Sequence, residues 1–122
     1  MSPEQIAAFA LDFPEVTEEQ PFGPGADVYK VAGKVFVILT PNEDPPRVTL
    51  KCEPSLALHL RGQYEAVSAG YHVDKKHWNT VLLDGTVPPD QLEEMVEHSY
   101  LRVVAGMTKA ARSRIELALT EG

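Results

Sequence analysis

The sequence predicts an α+β fold, a five-stranded antiparallel sheet with helices packed on one face, in the order α-β-β-β-α-β-β-α-α. Three features carry that expectation. Between Asp27 and Lys51 the chain holds three short β-branched and aromatic runs separated by turn residues, as antiparallel strands with short connections require. Both ends are helical in pattern, with apolar residues recurring at three- and four-residue spacing after Ser2 and again after Pro89. The 122 residues, 43% of them hydrophobic, suffice for one domain with one core, and no internal repeat or linker divides them.

Ser2 is a good helix N-cap, with Pro3 at the first helical position and Gln5 at the third, the arrangement of a capping box. Ile6, Phe9, Ala10 and Phe13 would form the buried stripe of this helix, and Pro14 stops it. Glu19 to Gly25, with two Pro and two Gly, reads as loop. Strands over Asp27 to Val31 and Lys34 to Thr40 are split by Ala32-Gly33, a hairpin signal. A Pro-rich acidic loop, Pro41 to Pro46, leads to Arg47 through Lys51, whose alternation puts Val48 and Leu50 on one face and Arg47, Thr49 and Lys51 on the other.

Pro54 and Ser55 open a short helix running to about Gln63. Ala66 to Ser68 is a short fourth strand and Trp78 to Leu83 a fifth, ended by Asp84-Gly85. From Pro89, Leu92, Met95, Val96, Ser99, Tyr100 and Val103 share one helical face. Gly106 ends that helix, and Thr108 caps a last one that turns Ala111, Ile115 and Leu119 inward.

Composition narrows the function classes. No apolar run approaches the roughly 20 residues of a membrane span, and nothing after Met1 resembles a secretory signal, so the expected compartment is the cytoplasm. Cys52 is the single cysteine, which rules out an intramolecular disulfide and reads as a structural thiol. The net charge of −7 opposes bulk attraction to a nucleic-acid backbone. Residues 1–46 carry eight acids and two bases, and residues 78–101 carry five acids and no base. Positive surface must therefore come from Arg47, Lys51, Arg61, Lys75 and Lys76, or from Arg102, Lys109, Arg112 and Arg114.

One stretch concentrates chemistry: Gly70-Tyr71-His72-Val73-Asp74-Lys75-Lys76-His77-Trp78-Asn79-Thr80-Val81 holds the only Trp, two of the four His and a Lys pair. Trp78 is expected as a structural anchor in the core, since an indole buries a large area. Asp74 can close an Asx turn over the lysines. His72 and His77 lack a third ligand nearby, so no metal and no cofactor is expected. Surface lysines are ordinarily solvated, but Lys75 and Lys76 join Arg47 and Lys51 on a strand face and loop that together could bind a partner. No nucleophile elbow, phosphate-binding Gly loop or opposed carboxylate pair is present, and the chain is not expected to be an enzyme.

The run from Lys75 to Val81 resembles the signature of the MmcQ/YjbR family, a Lys-x-His-Trp-Asn/Ser-Thr-Val sequence after a loop containing Tyr or His. The acidic Pro14 to Glu19 run before Pro21-Phe22-Gly23, the Gly33 to Phe36 and Val48 to Lys51 segments, Leu83-Asp84-Gly85 and Ser99-Tyr100 extend the resemblance over nearly the whole chain. It implies an α+β fold similar to frataxin and to secretion chaperones, and a DNA-binding role through a double-wing motif.

Two functions follow as expectations. In the first, DNA is bound through a basic strand and loop surface: Arg47, Lys51, Lys75, Lys76 and Arg61 contact phosphates while Tyr71, His72 or His77 stack on or hydrogen-bond to bases. In the second, the same loop serves a non-enzymatic binding or adaptor module for a protein or a small acidic ligand, with a dimer as in the secretion chaperones.

Overall fold

The computed structural model describes every residue except His72. Among the described residues, four helices and six strands follow in the order α1 (Pro3–Leu11), β1 (Val16–Glu19), β2 (Asp27–Val31), β3 (Lys34–Thr40), β4 (Arg47–Lys51), α2 (Pro54–Gln63), β5 (Val67–Ala69), β6 (Trp78–Leu82), α3 (Pro89–Ala105) and α4 (Lys109–Glu121). All strand pairs are antiparallel, in the sheet order β1-β2-β3-β4-β6-β5. The α+β class and the helices on one face are as the sequence predicts. The strand count is not: there are six, and β1 is the added one.

The reason β1 escapes the hydrophobic pattern is that it has almost none. Its sequence is Val-Thr-Glu-Glu, only Val16 is partly buried, and it is an edge strand paired on one side with β2. Side chains hold it there instead. Glu18 accepts from the Tyr29 hydroxyl at 2.5 Å, and Glu19 pairs with Lys30 at 2.6 Å across the strands.

The remaining elements form where local chemistry places them. Ser2 and Gln5 make the reciprocal capping box of α1. Ala32 and Gly33 both adopt positive φ between β2 and β3, the backbone that a two-residue hairpin turn demands. Glu53 caps α2 by accepting from the Ser55 and Leu56 amides, which holds its carboxyl down at a pKa of about 2. Thr108 caps α4 through the Ala111 amide.

Val48 and Leu50 of β4 face the helices, in register with Leu39 and Val37 of β3 and with Val81 and Asn79 of β6. Helix α3 covers β2, β3 and β4, helix α2 covers β5 and β6, and both contribute to a single buried cluster. Thr49 points the other way, as predicted, yet it is buried rather than exposed. On this central strand its Oγ1 lies 2.9 Å from that of Thr80, which also accepts the Tyr71 amide from the loop above.

Ser99 registers α3 against this sheet. The β2–β3 register skips Phe36, whose ring packs edge-on against Tyr100. The fully buried Ser99 hydroxyl donates to the Phe36 carbonyl at 2.6 Å and accepts the Lys51 amide at 2.9 Å, bridging β3 and β4 where the direct ladder stops. Next to it, Tyr100 stacks on Phe13 and donates to the Pro14 carbonyl at 2.8 Å, fixing the end of α1.

Ser99→Ala leaves two buried backbone groups without a partner and should lower stability by about 1–3 kcal/mol. Urea unfolding with an unchanged slope would report it. An unchanged midpoint would mean that the Lys51 amide and Phe36 carbonyl find other partners.

Candidate functional site

The segment from Gly70 to His77 is the connection between β5 and β6, and its shape is built from within. Asp74 accepts the Lys76 amide at 2.9 Å, the expected Asx turn, and sits 2.6 Å from His77 Nδ1. Those contacts, the His77 one foremost, hold its carboxyl below the usual range. Lys75 Nζ donates to the Gly70 carbonyl at 3.1 Å, and the Gly70 amide donates to the Trp78 carbonyl at 2.9 Å. Glycine is required at position 70 by close approach: a Cβ there would lie 2.5 Å from Val73 Cγ2 and 2.8 Å from Trp78 Cβ.

Arg61, at the end of α2, ties the loop to the body. Its guanidinium donates to Asn79 Oδ1 at 2.7 Å, to the Trp78 carbonyl at 3.3 Å and to the Lys75 carbonyl. The Nε and Nη2 donors expected at a phosphate are thus bonded to loop and sheet. Buried Asn79 is satisfied in turn, its amide reaching the Ala57 carbonyl at 3.3 Å.

The other expected site residues are spread over a strand and a loop. Arg47 opens β4 and Lys51 closes it, about 13 Å apart along the strand. Lys75 and Lys76 are exposed on the loop, and Tyr71 is 64% exposed. His72 lies outside the described residues. Trp78, expected in the core, is only half-buried, because the inward positions of β6 belong to Asn79 and Val81 while Trp78 begins the strand opposite Lys51.

What the structure does bring together is Lys51, Asp74, His77 and Trp78 with Arg102, Ala105 and Gly106 from the end of α3. They line an open groove of about 420 Å³. Arg102 is partly buried, and its Nε is shielded from solvent with no hydrogen-bond partner among the described residues. One turn back on α3, His98 borders a second cavity of about 220 Å³ between α2 and α3, floored by apolar side chains. Cys52 lies in its wall, its thiol pushed up to about 11, chiefly by burial.

His98 is the residue that pattern reading missed, and Arg102 enters that reading only as one possible source of positive surface, not as part of a site. The dominant α3 stripe marks the core, whereas Gln91, Glu94, His98, Arg102 and Ala105 form a flanking stripe whose three- and four-residue spacing was the available signal.

A six-stranded antiparallel sheet with helices on one face, and a β5–β6 loop strapped down by arginine, define an α+β class. The YjbR family model matches residues 11–102, and the chain belongs to that family. It is 32% identical over 112 residues to the uncharacterized protein YbdF of Escherichia coli O157:H7, covering 92% of each chain. The uncharacterized protein YjbR of Escherichia coli K12 is 40% identical over 75 residues, 62% of this chain and 64% of that one. The crystal structure of Deinococcus radiodurans protein DR2400 superposes with a TM-score of 0.87 at 35% identity, over 94% of this chain and 88% of that one.

Two expectations follow from the local chemistry. Arg61→Met should release the loop while the sheet persists, so that amide exchange at Gly70 and His77 accelerates at least tenfold more than at Val48 and Leu50; equal changes would mean that Arg61 acts on global stability alone.

The second concerns pH. Burial, and then the Arg102 charge, lower the His98 pKa, with Glu53 opposing. The geometry needs the same neutral ring, because Nε2 accepts the Glu53 amide at 3.1 Å. A histidine with a folded pKa below its unfolded value of about 6.5 contributes stability above that pH and loses it as pH falls. His98→Gln keeps an acceptor without titrating, so its melting temperature should fall less than wild type between pH 7.5 and 5.5. Parallel falls would place the proton uptake elsewhere.

Proposed function

We propose that this protein is a non-enzymatic binding module for a small anionic ligand, held in the groove between the β5–β6 loop and the end of α3. One observation carries the reading: Arg102 lines the same groove as Lys51, and of the three arginines whose shielded Nε has no hydrogen-bond partner among the described residues, Arg47, Arg102 and Arg112, it is the one in that groove. A carboxylate or phosphate is a natural partner for the Arg102 guanidinium, which binds planar oxyanions through paired donors, and Lys51 adds a second charge. Trp78 supplies a flat apolar wall beside them. Asp74, the carboxylate in the groove, is engaged by the Lys76 amide and His77.

The DNA-binding reading needs a continuous basic surface, and its cations are dispersed. Arg61 holds the loop, Lys75 is bonded to the Gly70 carbonyl, and Arg47 lies at the far end of β4 from Lys51. The net charge of −7 acts in the same direction.

Fluorescence of Trp78, the only tryptophan, gives a direct titration. Phosphate or benzoate should change it saturably, and Lys51→Met and Arg102→Met should each weaken binding by about 10-fold or more, as loss of a charged hydrogen bond predicts. Labelled duplex and single-stranded oligonucleotides at two salt concentrations form the second arm. Oligonucleotide binding with a steep salt slope, flattened by about two units in Lys75→Ala/Lys76→Ala, and no response to small anions, would replace this reading with the DNA one.

A further inference from the structure

The cavity between α2 and α3 lies beside the groove. Lys51 borders both, and His98 of the cavity and Arg102 of the groove are successive-turn neighbours on α3, about 6 Å apart along its axis. The cavity is built from Leu50, Leu56, Leu60, Val81, Met95 and Cys52, an apolar surface from two strands, two helices and the turn after β4. Its volume of about 220 Å³ exceeds the roughly 150 Å³ of an apolar cavity that admits benzene. Resting on the anion-binding reading of the groove, we infer that the ligand is an amphipathic monocarboxylate, with its carboxylate on Arg102 and Lys51 and its hydrocarbon part in the cavity beneath His98.

The polar groups around the cavity support a neutral tail. His98 uses Nε2 to hold the Glu53 amide, Asn79 is bonded to Arg61 and Ala57, and the Cys52 thiol is held protonated by burial. None of these three offers a cation to a second acidic group, and Lys51, which also borders the cavity, is taken by the first. Exposed Glu94 at the rim opposes one, since a carboxylate at the far end of the ligand would meet a like charge. Arg102 acts from between the two spaces: its charge bears on Cys52 and His98 while its side chain lines the groove.

The test is a chain-length series of n-alkanoates from acetate to octanoate, titrated against the full chain by Trp78 fluorescence and by amide chemical shifts. Affinity should rise about two- to fourfold per methylene, the increment for burying each CH₂, and level off once the cavity is filled. Shifts should spread from Lys51 and Arg102 for acetate to Leu56, Leu60 and Met95 for hexanoate, and adipate should bind at least tenfold more weakly than hexanoate. Leu56→Phe, at a partly buried position in the cavity wall, should remove the gain with chain length while leaving acetate binding unchanged; Gln91→Phe at the rim provides a second block should the first variant unfold. Binding that is independent of chain length, in the wild type, would overturn the inference and leave the anion groove standing. Absence of binding by every alkanoate and by phosphate would overturn both.

Discussion

The arrangement of the molecule depends on a single hydroxyl. Ser99 accepts the Lys51 amide and donates to the Phe36 carbonyl, closing a gap in the sheet with an atom that belongs to a helix. A helix packed on a sheet by apolar contacts alone could slide by a fraction of a turn at modest cost, but two buried hydrogen bonds from one side chain permit one register. That register puts Tyr100 between Phe13 and Phe36, His98 against the Glu53 amide and Arg102 opposite Trp78. Core, cavity and groove are thus set by consecutive turns of one helix.

The second constraint is the strap on the β5–β6 connection. An eight-residue loop would ordinarily be mobile, yet Arg61 holds the Lys75 carbonyl within it and the Trp78 carbonyl at its end, Asp74 folds its middle, and Gly70 lets Val73 and Trp78 approach closely. The consequence is that several of its most conspicuous polar residues serve the loop itself. An acidic protein can still place cations side by side: the overall charge governs long-range attraction, while Lys51 and Arg102, which line one open groove with Asp74, act over a few ångströms.

Much of the fold was legible because its elements obey local rules. The strands at Asp27–Val31, Lys34–Thr40 and Arg47–Lys51 alternate cleanly, and six positions on one α3 face, from Leu92 to Val103, are all buried as their spacing requires. Strand β1 was not legible, since polar edge strands are held by pairing and by side-chain contacts such as Lys30 with Glu19 rather than by burial. The site was legible only in part. Residue type marks Lys51, His77 and Trp78, but whether an arginine binds a ligand or a loop carbonyl depends on what folds against it. Arg61 and Arg102 have opposite surroundings: the Nε of one is bonded to Asn79, and that of the other has no partner among the described residues.

Native-state hydrogen exchange at the Lys51 amide tests the Ser99 bridge most directly. This amide points away from β6 and is protected only if the α3 hydroxyl is in place. In the wild type it should exchange as slowly as the core amides of Val37 and Val48, through global unfolding, and in Ser99→Ala it should open locally while those core amides still exchange together. Rapid exchange at Lys51 in the wild type, alongside a protected core, would contradict the claim that Ser99 sets the register of α3.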